Sequence, residues 1–185
     1  MEALARSLSL MLVVYSVSAM KCPGSSAWVH ASFQVSSTAA TSCADVLTEM
    51  KARASHQGGW KDPHNGGIYS VLSSGPSELQ TKRTTNPAKS VGGQLYTDKQ
   101  VFTLTEKSPS SCLIEGCSES QGFSVSDFST NYCDLRNLYC GTSDGCTKIV
   151  HDFSSTEGSS NPSIGAGHDW SKCVVSQVSE LLVMT

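Results

Sequence analysis

The sequence has little charge, few aromatic residues and no long apolar run in its body. Only 16% of the 185 residues are Asp, Glu, Lys or Arg, and the formal net charge is −3. Lys82-Arg83 is the only adjacent basic pair. No basic patch is therefore predicted for nucleic acid or anionic lipid. No segment after the first twenty residues approaches the ~20 apolar residues that a spanning helix needs, so we expect no membrane span in the mature chain.

Several motifs that carry chemistry are also missing. There is no C-x2-C pair of the kind that favours zinc, no G-x-S-x-G nucleophile turn and no acidic calcium loop. We therefore predict no metal and no cofactor. An enzyme is less expected than a non-enzymatic protein, because no convergent catalytic set is visible.

The first residues are typical of a secretory signal. A polar start with Arg6 precedes an apolar run of about ten residues from Leu8 to Val17, and small side chains follow up to Ala19. This pattern predicts a signal peptide over residues 1–19 with cleavage after Ala19. A membrane anchor is the alternative, but the run is shorter than the ~20 residues of a span. The expected localisation is secreted, in the extracellular space.

All eight cysteines lie beyond the predicted cleavage point: Cys22, Cys43, Cys112, Cys117, Cys133, Cys140, Cys146 and Cys173. An even number of cysteines in an exported chain predicts a disulfide framework rather than a zinc site. Cys112 and Cys117 would point to opposite faces of one strand and should not pair with each other. Cys140 and Cys146 flank a turn, and we predict that they form a bridge.

Local patterns predict an α+β fold, with an N-terminal helix packed on an antiparallel sheet of about four strands. The helix covers residues 43–55, with Ser42 as its cap and Asp45 three residues later. Turn residues separate four β-favouring segments. These segments are residues 68–73, 78–84, 94–105 and 112–119. A further helical or irregular, cysteine-rich C-terminal segment completes this disulfide-stabilised fold.

The remaining segments are more ambiguous. Residues 20–41 permit a strand, and are expected to be either an ordered extended N-terminal arm or a flexible leader. Residues 125–140 favour a helix over a strand, because Phe128, Tyr132, Leu135 and Tyr139 recur at helical spacing. Residues 148–153 are interpreted as an edge strand, residues 154–167 as a surface loop and residues 170–185 as a last strand or helix. The expected organisation is an arm (20–41), a disulfide-stabilised α+β domain (42–153), and a loop with a C-terminal segment (154–185) tied back through Cys173.

The turn-rich segment after Trp60 contains the weak catalytic candidates, His64 and Asp62. An aspartate two residues before a histidine can orient the imidazole for base chemistry. The alternative is an Asx-type turn in which Asp62 bonds to nearby backbone and His64 has no catalytic role. We expect the turn more than the catalytic pair.

The leading functional hypothesis is a secreted, disulfide-rich binding or interaction protein. Its expected partner is an extracellular protein or glycan, bound at the loops near residues 60–67 and 86–96. The candidate binding residues are Trp60, Asp62, His64, Asn65 and Tyr96. The alternatives are a small secreted hydrolase using His64 and Asp62, and a structural component of a cell wall or extracellular matrix. The matrix alternative rests on the abundance of small polar residues, including 33 serines.

Overall fold

The structure is a computed structural model, and it describes residues 20–90 and 92–174. The predicted signal peptide lies outside the described residues. The strands in chain order are β1 (Ser32–Ala39), β2 (Ile68–Ser74), β3 (Glu78–Thr84), β4 (Thr97–Ser108), β5 (Ser111–Ser120) and β6 (Ser155–Pro162). They form one antiparallel sheet in the order β2-β3-β4-β5-β1-β6. The α-helices of the described part are α1 (Cys43–Ala54) and α2 (Thr130–Tyr139).

The predicted fold class, an N-terminal helix on a four-stranded sheet, is wrong. The described part is mostly a six-stranded sheet with two short helices, and a strand precedes the first helix. The error comes from the two added strands, because β1 and β6 pair with each other across more than a hundred residues of sequence. Short-range turn signals carry no information about such a pairing.

β1 lies inside the sheet, between β5 and β6. Phe33, Val35 and Ala39 alternate with more exposed residues and are fully buried on one face. This two-residue period is what a half-buried strand requires. The bridge between Cys22 and Cys117 ties the segment preceding β1 to β5.

The prediction that residues 154–167 form a loop is wrong, because Ser155–Pro162 form β6. Its sequence is rich in Ser and Gly and is poor in the residues that favour strands. The strand forms because its backbone pairs with β1, from Phe33 opposite Pro162 to Ala39 opposite Ser155. An edge position suits its exposed polar side chains and its terminal proline.

α1 begins where the sequence predicts. The side chain of Ser42 accepts a hydrogen bond from the backbone N–H of Asp45, and the helix ends at Ala54. Inside the molecule, the carboxylate of Glu49 pairs with Arg53 and also accepts backbone N–H bonds from residues 149, 150 and 151. Residues 148–153 are irregular backbone that Glu49 and the bonds between Asp152 and Thr142 hold in place, so the predicted edge strand is wrong.

α2 is shorter than the predicted 125–140 segment. Tyr132, Leu135 and Tyr139 are buried as the helical spacing predicts, but Phe128 precedes the helix and is exposed. Phe128 and Ser129 both have positive φ, of 50° and 70°, and this sharp turn prevents an earlier helix start.

All eight cysteines are paired. The bridges are Cys22–Cys117, Cys43–Cys112, Cys133–Cys173 and Cys140–Cys146. The predicted Cys140–Cys146 bridge is confirmed, and Cys112 and Cys117 point to different partners as expected. Of the predicted C-terminal element, the structure describes a short 3₁₀ turn at Trp170–Lys172, and residues 175–185 lie outside the described part. No helix within the described ranges is both long and apolar enough to cross a bilayer.

Candidate functional site

Two rows of polar side chains cross the face of the sheet that the helices cover. Direct cross-strand neighbours form the first row, which runs from β2 to β5 through Tyr69, Arg83, Asp98 and Ser120. The second row lies two residues further along β3, β4 and β5, and it contains Thr81, Gln100 and Ser118. All seven side chains are buried. A buried polar row is costly unless its members bond to one another.

α2 supplies most of the partners for these rows. Asp134 accepts a hydrogen bond from Gln100 at 3.2 Å, and Asn131 accepts one from the Ser118 hydroxyl at 2.8 Å. Asn131 also donates to Ser120 at 3.0 Å. The interface between helix and sheet is thus polar at its centre, and apolar packing surrounds it.

Arg83 is the buried cation of this layer. Its guanidinium lies 2.7 Å from the carboxylate of Asp62 and 3.2 Å from that of Asp134, and it also donates to the backbone carbonyl of His64. Burial alone would lower the pKa of Arg83, but the neighbouring carboxylates outweigh it and raise that pKa. Arg83 therefore stays charged and organises the turn that contains Asp62 and His64.

Unlike Arg83, the buried carboxyl groups of Asp98 and Asp134 are shifted toward their neutral, protonated forms. Burial raises the pKa of both carboxyl groups, and the charge of Asp127 adds to the rise at each. Asp98 and Asp62 raise the pKa of Asp134 further by like-charge repulsion, whereas a hydrogen bond with Asp134 lowers the pKa of Asp98. Arg83 and the Ser120 hydroxyl act against this rise without cancelling it. Asp134 Oδ1 accepts no hydrogen bond from the described residues. That oxygen instead lies 3.2 Å from the Arg83 guanidinium, whose positive charge faces it.

His64 is buried at the edge of the same layer, with both ring nitrogens engaged. Nδ1 lies 2.7 Å from the carbonyl oxygen of Lys172, and Nε2 lies 3.2 Å from the hydroxyl of Thr130. A carbonyl accepts only, so Nδ1 carries the proton and Nε2 presents its lone pair to Thr130. Burial, together with the charge of Arg83, lowers the pKa of His64 and keeps the ring neutral.

A cleft of about 620 Å³ opens over the end of these rows. Its closed end, here called the floor, is formed by buried polar residues: His64, Arg83, Asp98, Ser120, Asp127 and, partly exposed, Thr130. Its open side, here called the rim, carries exposed apolar side chains: Tyr96, Phe123, Val125 and Phe128. Polar residues of the 85–94 loop, including Lys89, complete the opposite wall. This combination of a polar floor and an apolar rim is typical of small-molecule sites.

Asp127 fixes the wall that carries the rim. One carboxylate oxygen accepts the backbone N–H groups of Ser129 and Gly167, at 3.0 and 2.8 Å. The other accepts both the backbone N–H and the side-chain amide of Asn131, at 3.1 Å each. The rigid turn holds the Phe128 ring out of the core, with 80% of the residue exposed. A bulky residue with positive φ and an exposed ring is energetically unfavourable for folding alone.

The structure brings together three of the five predicted binding residues. His64, Asn65 and Tyr96 line the cleft, and so do Asn86, Lys89 and Gln94 of the predicted 86–96 surface. Asp62 lies beneath the floor against Arg83, and Trp60 packs in the core with its ring 5.8 Å from that of Tyr69. Asp62 accepts the backbone N–H of His64, as an Asx-type turn requires, and it is the Lys172 carbonyl that orients the imidazole.

Sequence reasoning missed Arg83, Asp98, Asp127, Asn131 and Asp134. A signal for two of them was present in the strand alternation. Arg83 continues the buried phase of Leu79 in β3, and Asp98 continues that of Phe102 in β4. A charged residue in the buried phase of a strand predicts an inward-facing polar group.

No protein-family model matches this chain, and comparisons with curated proteins and with solved structures also return no match. The site must therefore be interpreted from its own geometry.

Proposed function

We propose that this protein is secreted and binds a small organic ligand in the cleft between the 85–96 loop and the turn before α2. The observation that carries the proposal is the cleft itself: about 620 Å³, closed by a polar floor and open at an apolar rim. Such a volume lies within the ~300–1,000 Å³ of ligand pockets. A ligand with a polar end and an apolar body complements both parts.

The rim supports the proposal because exposing its apolar side chains to water is unfavourable for folding. Phe123 is 70% exposed and Phe128 is 80% exposed, and both border the same opening. Exposed apolar groups clustered at one opening mark interaction sites, whereas isolated ones need no explanation. The four disulfides are compatible with an oxidising, extracellular setting, where such a ligand would be met.

A fluorescence titration tests the ligand-binding function. N-phenyl-1-naphthylamine, a neutral aromatic probe, should bind saturably with enhanced emission. Phe128→Ser should weaken this binding at least fivefold, because it removes apolar surface from the rim. Leu72→Ser is the matched control: Leu72 is about half exposed on β2 and does not line the cleft.

The outcomes are distinct. Equal loss in both variants, or no saturable binding by the unaltered protein, would refute the small-molecule site. Mass spectrometry of protein taken from its native medium then identifies what it carries. A co-purifying glycan or protein would instead support the partner classes expected from the sequence. The mature chain should begin at Met20 in that material.

A hydrolase is the second candidate, and one observation favours it. The Thr130 hydroxyl, the neutral His64 ring and the Lys172 carbonyl form a chain from nucleophile to base to orienting group. Against it, the N–H groups of Thr130 and Asn131 at the start of α2 are bound to Asp127 and are not free to stabilise an oxyanion. The ligand-binding function is therefore the better supported.

Hydrolysis of p-nitrophenyl butyrate tests this candidate. Turnover that Thr130→Val abolishes would establish it, since valine keeps the shape and removes the hydroxyl. Turnover that Thr130→Val leaves unchanged, or none above buffer, would exclude it. The third alternative, a structural wall or matrix component, rests on composition alone.

A further inference from the structure

The floor of the cleft contains more acidic than basic groups. Around it lie four buried aspartates, Asp62, Asp98, Asp127 and Asp134, together with Arg83 and the neutral His64. Asp62 and Asp134 both contact the guanidinium of Arg83, and Asp127 is bound by four N–H groups. Asp98 is left as the buried carboxyl group that lines the cleft without a cation of its own.

Asp98 borders both the cleft and the buried polar layer between the sheet and α2. Its cross-strand neighbours are Arg83 on β3 and Ser120 on β5, and all three line the cleft. Behind it lies Asp134, whose Oδ1 has no hydrogen-bond donor among the described residues. That oxygen lies 3.2 Å from the Arg83 guanidinium, so Arg83 already supplies the positive charge beside Asp134, and Asp98 is the carboxyl group of the two that faces the cleft.

We propose that the floor takes the protonated amine of an organic ligand, with Asp98 as its counter-ion and the rim around its apolar body. This inference rests on the ligand-binding function proposed above. An ammonium group has three donors, and the Asp98 carboxylate and the Ser120 and Thr130 hydroxyls at the floor are acceptors of the right kind. The rim adds aromatic faces from Tyr96, Phe123 and Phe128, which attract a cation as well as an apolar body.

Binding is coupled to a proton. In the empty cleft we expect one proton on the Asp98–Asp134 pair, because burial raises the pKa of both carboxyl groups and a hydrogen bond between two carboxyl groups requires a proton. When the ammonium arrives, that proton leaves to solvent and the positive charge of the ligand replaces it. The other groups facing the pair are Arg83 from β3, Tyr69 from β2, and Asp62 and Asp127 from the flanking turns. Arg83 stays charged and Tyr69 stays neutral throughout, since burial raises the pKa of that phenol.

Three probes with one apolar body and different heads test the inference: 1-naphthylmethylamine, 1-naphthalenemethanol and 1-naphthoic acid. At pH 7 the amine should bind at least tenfold more tightly than the alcohol, and the acid more weakly than either. Asp98→Asn should reduce amine affinity to that of the alcohol and leave the alcohol unchanged. Glu115→Gln, the same change of charge on β5 outside the cleft, is the control and should alter neither.

Calorimetry of the unaltered protein gives a readout that needs no variant. In two buffers of different ionisation enthalpy, amine binding should release a fraction of one proton, and alcohol binding should release none. The fraction should shrink as pH rises, because the pair is then already ionised. Equal affinity for amine and alcohol, or a tighter acid, would overturn the inference while leaving the ligand-binding function intact. If neither the three probes nor N-phenyl-1-naphthylamine bound, both the amine site and the ligand-binding function would be refuted.

Discussion

Replacing Arg83 with methionine should destabilise this protein more than any surface change, because it leaves two buried carboxylates without their cation. The side chains of Asp62 and Asp134 are fully buried, and that of Arg83 is 4% exposed. Methionine retains the flexible stem and its packing. The loss is therefore electrostatic, with little added cavity.

The magnitude follows from the partners left behind. Removing one member of a buried ion pair costs roughly 3–5 kcal/mol, because the remaining charge is buried and uncompensated. Asp62 keeps the Asn137 amide at 2.8 Å, which offsets part of the loss. Asp134 keeps Gln100 at 3.2 Å but loses its cation. We expect about 3–5 kcal/mol, a large share of the roughly 5–15 kcal/mol that holds a typical domain together.

The assay is urea unfolding with the disulfides intact, followed by the emission of the buried Trp60. Lys82→Met is the matched control, since Lys82 is adjacent in β3 on the opposite face, and it should cost less than about 0.5 kcal/mol. Adding Asp134→Asn to Arg83→Met should restore at least about 1 kcal/mol, because it removes one of the stranded charges.

The pH dependence gives a second check. Without Arg83 the pKa of Asp134 rises further, so the folded state binds a proton that the unfolded state releases. Stability of the variant should therefore recover as pH falls from 7.5 toward 5. A destabilisation within about 1 kcal/mol of the Lys82→Met control, or one that does not change with pH, would refute the account of the buried layer.

Two further predictions concern the covalent framework and the histidine. Replacing Cys22 and Cys117 by serine should cost more stability in urea than replacing Cys140 and Cys146, because the sequence separations are 95 and 6. Because the Cys43–Cys112 bridge inside the larger loop shortens it to about 26 residues, the chain-entropy model gives about 3.5 and about 2 kcal/mol, and equal costs would show that native strain or residual structure dominates. His64 should contribute a loss of stability as pH falls from 7.5 to 5.5, because the folded state resists protonating its ring and the unfolded state, with a pKa of ~6.5, does not. His64→Gln should reduce that loss by up to ~1.4 kcal/mol per pH unit, and identical urea midpoint shifts in both proteins would contradict a neutral, buried ring.

Elements with local signals were predictable, and elements held by distant partners were not. α1 has its cap and its apolar spacing within one segment, and β3 matches its predicted bounds because turn residues flank it. β6 is poor in β-favouring residues, and it exists because β1 offers an unpaired edge. Such a strand is stabilised by hydrogen bonds between backbone groups, which are the same in every sequence. Its side chains therefore give no signal of the pairing.

The loop residues of the candidate site were predictable, and its strand and helix residues were not. His64, Asn65 and Tyr96 stand out because turn-rich polar segments often lie at sites. Arg83 and Asp98 fall in the buried phase of their strands, but charged residues are seldom fully buried without a partner, so that phase alone does not identify them. Their partners come from a different element, α2, and a single sequence does not show which helix covers which strand.

The disulfides and the polar layer depend on each other at the C-terminal end. The Cys133–Cys173 bridge joins α2 to the residue that follows Lys172, and the Cys173 carbonyl accepts a hydrogen bond from Asn137 at 3.1 Å. This anchoring holds the Lys172 carbonyl on His64 Nδ1 and so fixes which ring nitrogen faces Thr130. Without the bridge, the carbonyl would have to be held by short-range contacts of an exposed 3₁₀ turn. The covalent framework therefore does more than limit the entropy of the unfolded chain, because it also sets the protonation geometry at the floor of the cleft.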